Sequence, residues 1–172
     1  MEVDIIPMGN INSDIIEELK RELKNKNLIV RTYAKMDLPN TALNLYRKQY
    51  NAQILVDVLR NLKGIIIAVT DKDIYTDKLN YVFSYEEYDG PAIISLYRLR
   101  SEYYQEKRNF DLLIDRLTKT VIYSLGKLKG LKDCNNLTCV MHKPNSVEDI
   151  DHKSKEFCND CKLNNTLIGI EL

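Results

Sequence analysis

Cys134, Cys139, Cys158 and Cys161 are all the cysteines in the chain, spaced C-x4-C-x18-C-x2-C in its last quarter. Two close pairs joined by a longer loop are the layout of a four-cysteine zinc site. Zinc favours a tetrahedron of soft or borderline donors, which thiolates supply. Cys158 and Cys161 form the tight half of that tetrahedron, and Cys134 and Cys139 the looser half. With cysteine at every position, no site is left open for water. The metal expected is therefore one structural Zn2+, not a catalytic one. Its binding should contribute on the order of 10 kcal/mol to folding of the subregion spanning about 130–165. Two other readings use the same residues: four buried free thiols, or a zinc ribbon that grips nucleic acid. His142 and His152 lie between the pairs, either as donors behind the ligands or as solvated loop residues. Asp71 and Asp73 are a carboxylate pair after an apolar run, for which loop solvation or capping is expected.

Charge helps to separate these readings. Lys+Arg and Asp+Glu number 25 each, and the two signs are interleaved along the chain. A nucleic-acid binder usually carries a basic excess or a basic face, so the neutral balance argues against one. The 172 residues, 44% hydrophobic and 29% charged, fit one soluble domain over 1–172 with a core of ordinary size. The longest uncharged apolar run, Gly64 to Thr70, is too short to span a bilayer. The start, Met-Glu-Val-Asp-Ile-Ile-Pro, has neither the basic nor the apolar region of a signal peptide. The expected location is cytoplasmic, where thiols stay reduced, which favours metal over disulfides.

The elements that must position these residues follow from periodicity. Val3 to Pro7 reads as a short strand. Asn12-Ser13-Asp14 offers N-cap chemistry to a helix ending near Lys26, with Ile15, Ile16, Leu19 and Leu23 on its inner face. Leu28 to Lys35 is strand-like, and Asp37 to Asn40 is a turn. Leu43 to Leu62 reads as a second helix that Gly64 ends. Ile65 to Val69 is a central strand buried on both faces. Tyr81 to Phe83 and Ala92 to Tyr97 are further strands, parted by a turn over Ser84 to Pro91. Asn109 to Leu128 is a third helix, with Leu112, Leu113, Leu117, Val121, Leu125 and Leu128 as its inner stripe. The chain after Cys134 is expected to be loop-rich. Early alternation of strands and helices indicates an α/β or α+β class.

The order of motifs carries a resemblance. A helix ends in Gly130-x3-Cys134, followed by Cys139, Met141, a sixteen-residue spacer, and Cys158-x2-Cys161. This resembles the archaemetzincins, zinc-dependent peptidase-like proteins of the metzincin clan. Their signature reads H-E-x-x-H-x-x-G-x-x-H-C, then x4-C-x-M, a spacer and C-x-x-C. The segments Arg47 to Ala52, Ala68 to Tyr75, Leu79 to Phe83 and Ile94 to Leu99 are also similar to the family's core. The resemblance implies a twisted, mostly parallel sheet of about four to five strands with one antiparallel edge strand, flanked by three helices. It also implies a cleft between that edge strand and the third helix, with Met141 as the Met-turn residue.

Set on that signature, Tyr123 and Lys127 stand where the helical histidines belong, Ser124 replaces the glutamate base, and Asp133 replaces the third histidine. Positions i and i+4 share a helix face, so the geometry is kept while the chemistry is lost. An ammonium has no lone pair for a metal, and serine cannot hold a proton taken from water. The expectation is a catalytically inactive metallopeptidase homologue that binds an extended peptide or protein in the residual cleft. The Lys127 ammonium is expected either to stand partly in the metal's place and pair with Asp133, or to point to solvent with it. An atypical hydrolase using Ser–Lys chemistry at Ser124 and Lys127 is the alternative, and a nucleic-acid-contacting zinc module a second.

Overall fold

Every residue from Ile66 to Thr70 is buried, and alternate side chains of this strand enter two different cores. Ile67 and Val69 join one hydrophobic cluster, Ile66 and Ala68 the other, as the two-residue period of a strand requires. The computed structural model describes the backbone of residues 1–167 and side chains through residue 164. In chain order the first strands are β1 (Glu2–Met8), β2 (Ile29–Thr32), β3 (Leu43–Asn44), β4 (Gln49–Asn51) and the central β5 (Ile66–Thr70). They are followed by β6 (Ile74–Thr76), β7 (Leu79–Val82), β8 (Ser84–Glu86) and β9 (Ala92–Ser95). The helices are α1 (Ser13–Lys24), α2 (Ala52–Asp57), α3 (Phe110–Leu128), α4 (Val147–His152) and α5 (Asn159–Leu167).

The main sheet has the order β2-β1-β5-β9-β8. Its first four strands are parallel, and β8 runs antiparallel along β9 as an edge. Helices α1 and α3 pack together on one face, and α2 covers the other. Asn12 caps α1 by accepting from the Asp14 N–H, and Ile15, Ile16, Leu19 and Leu23 are its buried residues. In α3, Asn109 caps the start. The helix is buried nearly all round, with Arg116, Thr118, Lys119 and Thr120 inside as well as the apolar stripe; Leu112 is only half-buried. Its end is a Schellman turn: Leu131 N–H reaches the Gly126 carbonyl at 2.9 Å and Gly130 N–H reaches Lys127 at 2.9 Å. Gly130 takes φ +88°, the left-handed value such a turn needs. Among the described residues no helix is long and apolar enough to cross a membrane.

The mixed α/β class and the five-stranded main sheet agree with the sequence. The helix expected over Leu43 to Leu62 does not form as such. Asn44 Oδ1 accepts from the N–H groups of Tyr46 and Arg47 and turns the chain. Lys48 adopts φ +54°, and Gln49–Asn51 pairs with β3 and β6. Only Ala52–Asp57 is helical, capped by Asn51. Leu45 and Tyr46, which a helix would have turned inward or outward by periodicity, both project from the β3–β4 turn into solvent. This hairpin belongs to a second, four-stranded sheet, β3-β4-β6-β7, which periodicity did not reveal because its strands have two to four residues.

The strand expected at Tyr81 to Phe83 is divided. Residues through Val82 pair with β6, whereas Ser84–Glu86 pairs with β9 in the main sheet. The expected turn over Ser84 to Pro91 therefore contains the edge strand, and the reversal itself is Glu87 to Gly90. Beyond Cys134, where loops were expected, two short helices form, so five helices rather than three are present among the described residues.

Candidate functional site

The four cysteine sulfurs lie within 4.8 Å of one another. Cys134 Sγ and Cys158 Sγ are 3.7 Å apart. A tetrahedron with Zn–S bonds of about 2.3 Å has sulfurs roughly 3.8 Å apart, so the cluster is close to the required size. Cys139 and Cys161 are buried; Cys134 and Cys158 are half-buried. Main-chain N–H groups donate to the sulfurs: Asn136 to Cys134 at 3.4 Å and Cys158 to Cys139 at 3.3 Å. This donor set can hold a metal.

The cluster is tied to the rest of the fold on both sides. Lys155 bonds Glu22 of α1 at 2.6 Å and lies 3.3 Å from Asp115 of α3, and Lys26 pairs with Glu156. His142 Nδ1 lies 2.9 Å from the Cys134 carbonyl, so it touches the main chain of a cluster residue and not its sulfur. His152 is exposed.

Immediately before Cys134 stands a second group of polar side chains. Asp133 Oδ1 accepts from the Tyr123 hydroxyl at 2.7 Å and from Lys127 Nζ at 2.9 Å. Burial alone would raise the Asp133 carboxyl, but these two bonds, together with the charges of Lys127 and Lys143, outweigh it and hold the group below the usual carboxylate range. Burial and the nearby Glu86 charge push the Tyr123 phenol well above its ordinary pKa, so it stays protonated. Of the two arrangements expected for Lys127 and Asp133, the paired one is present.

Ser124 is fully buried and donates to Glu86 Oε1 at 2.6 Å. Glu86 reaches it from β8. Burial raises the Glu86 carboxyl, outweighing the bonds from Ser124 and Ser84 and the attraction of Lys127. Ser124 and Lys127, the two members of a Ser–Lys pair, are thus engaged separately.

Beneath Tyr123, the wholly buried Lys153 donates to the Val140 carbonyl at 2.9 Å and the His142 carbonyl at 3.1 Å. Its ammonium also sits 4.6 Å from the Tyr123 ring centroid. Burial lowers this ammonium's pKa to about 8. The two carbonyls flank Met141, so Lys153 fixes the turn carrying that residue. Met141 is fully buried against Gly126 of α3. A Cβ at Gly126 would fall 2.4 Å from Met141 Sδ, so the close approach of Met141 needs a glycine at this point of the continuous helix.

Between α3, β7, β8 and the loop after Met141 lies a cleft of about 480 Å3. Tyr123, Lys127, Asp133 and Glu86 line it, together with the exposed Lys78 and Lys143. The Tyr81 hydroxyl crosses to the Asn145 carbonyl at 2.8 Å and joins its two walls. Asp71 and Asp73 are elsewhere. Asp73 is not solvated but buried, in a bidentate pair with Arg98 at 2.9 and 2.8 Å, and it accepts from Gln49. Arg98 in turn lies between the rings of Tyr81 and Tyr103. Asp71 is half-buried, with Lys72 at 3.3 Å.

Sequence reasoning missed Glu86 and Lys153. Glu86 falls in a polar, Gly/Pro-bearing stretch read as a turn. Lys153 sits in the run Asp151-His-Lys-Ser-Lys155 and differs from its neighbours only in the tertiary structure.

A mostly parallel sheet, an antiparallel edge strand, a long helix across it and a cysteine cluster behind the cleft define a metallopeptidase-like scaffold. Archaemetzincin from Methanocaldococcus jannaschii is 37% identical over 162 residues, 94% of this chain and 90% of the relative. Archaemetzincin from Saccharolobus solfataricus is 36% identical over 167 residues, 94% and 91% of the two chains. The crystal structure of archaemetzincin from Archaeoglobus fulgidus, complexed with malonate, superposes with a TM-score of 0.84 at 33% identity, covering 95% of this chain and 99% of that one. That of Methanopyrus kandleri archaemetzincin gives 0.82 at 26% identity, covering 98% and 94%. The model of peptidase family M54 matches residues 2–165. This chain belongs to that family, the archaemetzincins.

Proposed function

We propose that this chain is a non-catalytic archaemetzincin: a zinc-stapled scaffold that keeps the family's cleft and uses it to bind an extended peptide or protein segment. The observation that carries the reading is the junction of Tyr123, Lys127 and Asp133. One carboxylate oxygen there is shared by a phenol and an ammonium. That donor set does not fit a catalytic zinc. Lys127 brings a positive charge where a ligand lone pair is needed, and the Tyr123 phenol is held protonated. Asp133 already has two partners on one oxygen. Ser124 has no proton-accepting carboxylate of its own, and Glu86, which bonds it, is pushed toward the protonated form.

One zinc is assigned to Cys134, Cys139, Cys158 and Cys161, in a structural role, because four thiolates leave no position for a reacting water. When bound, that zinc supplies cross-linking of the segment after Asp133 and no chemistry at the cleft. A thiolate site of this kind fits a reducing compartment such as the cytoplasm. The cleft retains an edge strand, β8, paired on one side only among the described residues. An extended segment can add to such an edge through main-chain hydrogen bonds.

Restoring the signature tests the reading. The quadruple variant Y123H, S124E, K127H, D133H should bind a second zinc, while the unaltered chain binds one and cleaves none of a broad peptide library. Cleavage by the unaltered chain, abolished by a chelator or by S124A, would sustain the atypical-hydrolase reading instead.

A further inference from the structure

The cleft carries more positive charge than its own acids neutralise. Three lysines from three different elements line it: Lys78 from the β6–β7 turn, Lys127 from α3, and Lys143 from the loop after Met141. Two acids line it too, Asp133 and Glu86. Asp133 is bonded by Lys127 and Tyr123. The Glu86 carboxyl is turned onto Ser124 and is raised toward its neutral form by burial. Lys78 and Lys143 are both exposed and have no hydrogen-bonding or ion-pairing side chain within reach among the described residues, although Lys143 lies near enough to Asp133 to attract it. Leu79, Val82, Tyr85 and Pro144 add apolar and aromatic surface to the lining of the same cleft. The outer edge of β8 runs along the same space.

We infer that the cleft selects an extended peptide bearing acidic side chains, with Lys78 and Lys143 pairing to its carboxylates and the edge of β8 pairing to its main chain. This rests on the reading of the cleft as a peptide site and names the peptide's chemistry. Lys78 and Lys143 come from separate elements, so the cleft offers two independent cations. Side-chain carboxylates at more than one position match that pair better than a single terminal carboxylate. The apolar and aromatic part of the lining favours hydrophobic residues in the peptide as well as acidic ones, and suits a polyanion less.

Fluorescence anisotropy on the whole zinc-loaded chain tests the inference. The probes are labelled, C-terminally amidated decapeptides with alternating apolar and Glu residues, and the same peptides with Gln in place of Glu. The Glu peptide should bind at least tenfold tighter, and its affinity should fall as salt rises from 50 to 300 mM. The K78A/K143A variant should lose at least tenfold in affinity with an unchanged melting temperature. Equal binding of the Glu and Gln peptides overturns the acidic preference and leaves the peptide cleft standing; binding of neither overturns both. Undiminished binding to K78A/K143A also overturns the assignment. So does tight binding only of peptides with a free C-terminal carboxylate, or tighter binding of a single-stranded oligonucleotide than of the Glu peptide.

Discussion

Lys127 Nζ stands 2.9 Å from Asp133 Oδ1 across the Schellman turn that ends α3. The turn brings the ammonium and the carboxylate together, and the Tyr123 hydroxyl reaches the same oxygen from one helical turn earlier. Removing the carboxylate leaves a buried phenol without an acceptor and a partly exposed ammonium without a partner. D133A should therefore lower stability by about 1–2 kcal/mol, most of it from the orphaned phenol. D133N keeps an acceptor oxygen and should cost less. Urea denaturation of the zinc-loaded proteins measures both, and a neutral D133A would mean the junction contributes nothing to folding.

Glu86 gives a pH dependence of definite sign. Its folded pKa is raised above the unfolded value, so the folded state binds the proton more tightly. Its contribution is fully present below the unfolded carboxyl pKa of about 4.3 and is lost as pH rises through the raised folded value. E86Q removes the charge while keeping an acceptor for Ser124. At pH 7 E86Q should be the more stable protein, and the difference should vanish below about pH 4. A constant difference across that range would show that Glu86 does not titrate anomalously.

Gly126 and Met141 make a tight steric pair. G126A places a methyl group 2.4 Å from Met141 Sδ, and should destabilise by about 1–3 kcal/mol despite the better helix propensity of alanine. Shortening the partner in G126A/M141A should not add the full cost of M141A to that of G126A. Additive losses in a double-mutant cycle would show that the two residues do not compete for one space.

Asp73 and Arg98 are a scaffold pair, although Asp73 looks in the sequence like one of two loop carboxylates. The Asp73 side chain is 9% exposed and that of Arg98 20%. D73A should cost about 3 kcal/mol by stranding the guanidinium between Tyr81 and Tyr103. D71A, beside it in sequence, should cost well under half as much. Equal effects on the thermal midpoint would contradict the distinction.

The legible parts of this molecule were those governed by period and spacing. The buried strand Ile66–Thr70, the capped helices α1 and α3, and the cysteine set all follow from local pattern. The pairing of Lys127 with Asp133 was half-legible: helical spacing put Tyr123 and Lys127 on one face, but whether Asp133 returned to them depended on the turn at Gly130. What failed was decided by long-range pairing. Leu43 to Asn51 has an apolar content compatible with a helix, yet its backbone is claimed by Ile74 and Tyr75 across the second sheet. Ser84–Glu86 reads as a turn because nothing in three polar or aromatic residues announces an edge strand; only β9 makes it one. Lys153 could not be distinguished because its burial comes from Tyr123 and the Met141 turn, 11 or more residues away.

The most direct test of the account is the number of zinc ions per chain, counted by native mass spectrometry on protein purified under reducing conditions and freed of loose metal. One zinc is predicted, lost in C161S together with hydrogen-exchange protection from Cys134 to Cys161 but not in β1 or β5. Two zincs, one of them retained in C161S and lost in D133A, would place a metal at the Tyr123–Lys127–Asp133 junction and contradict the non-catalytic reading.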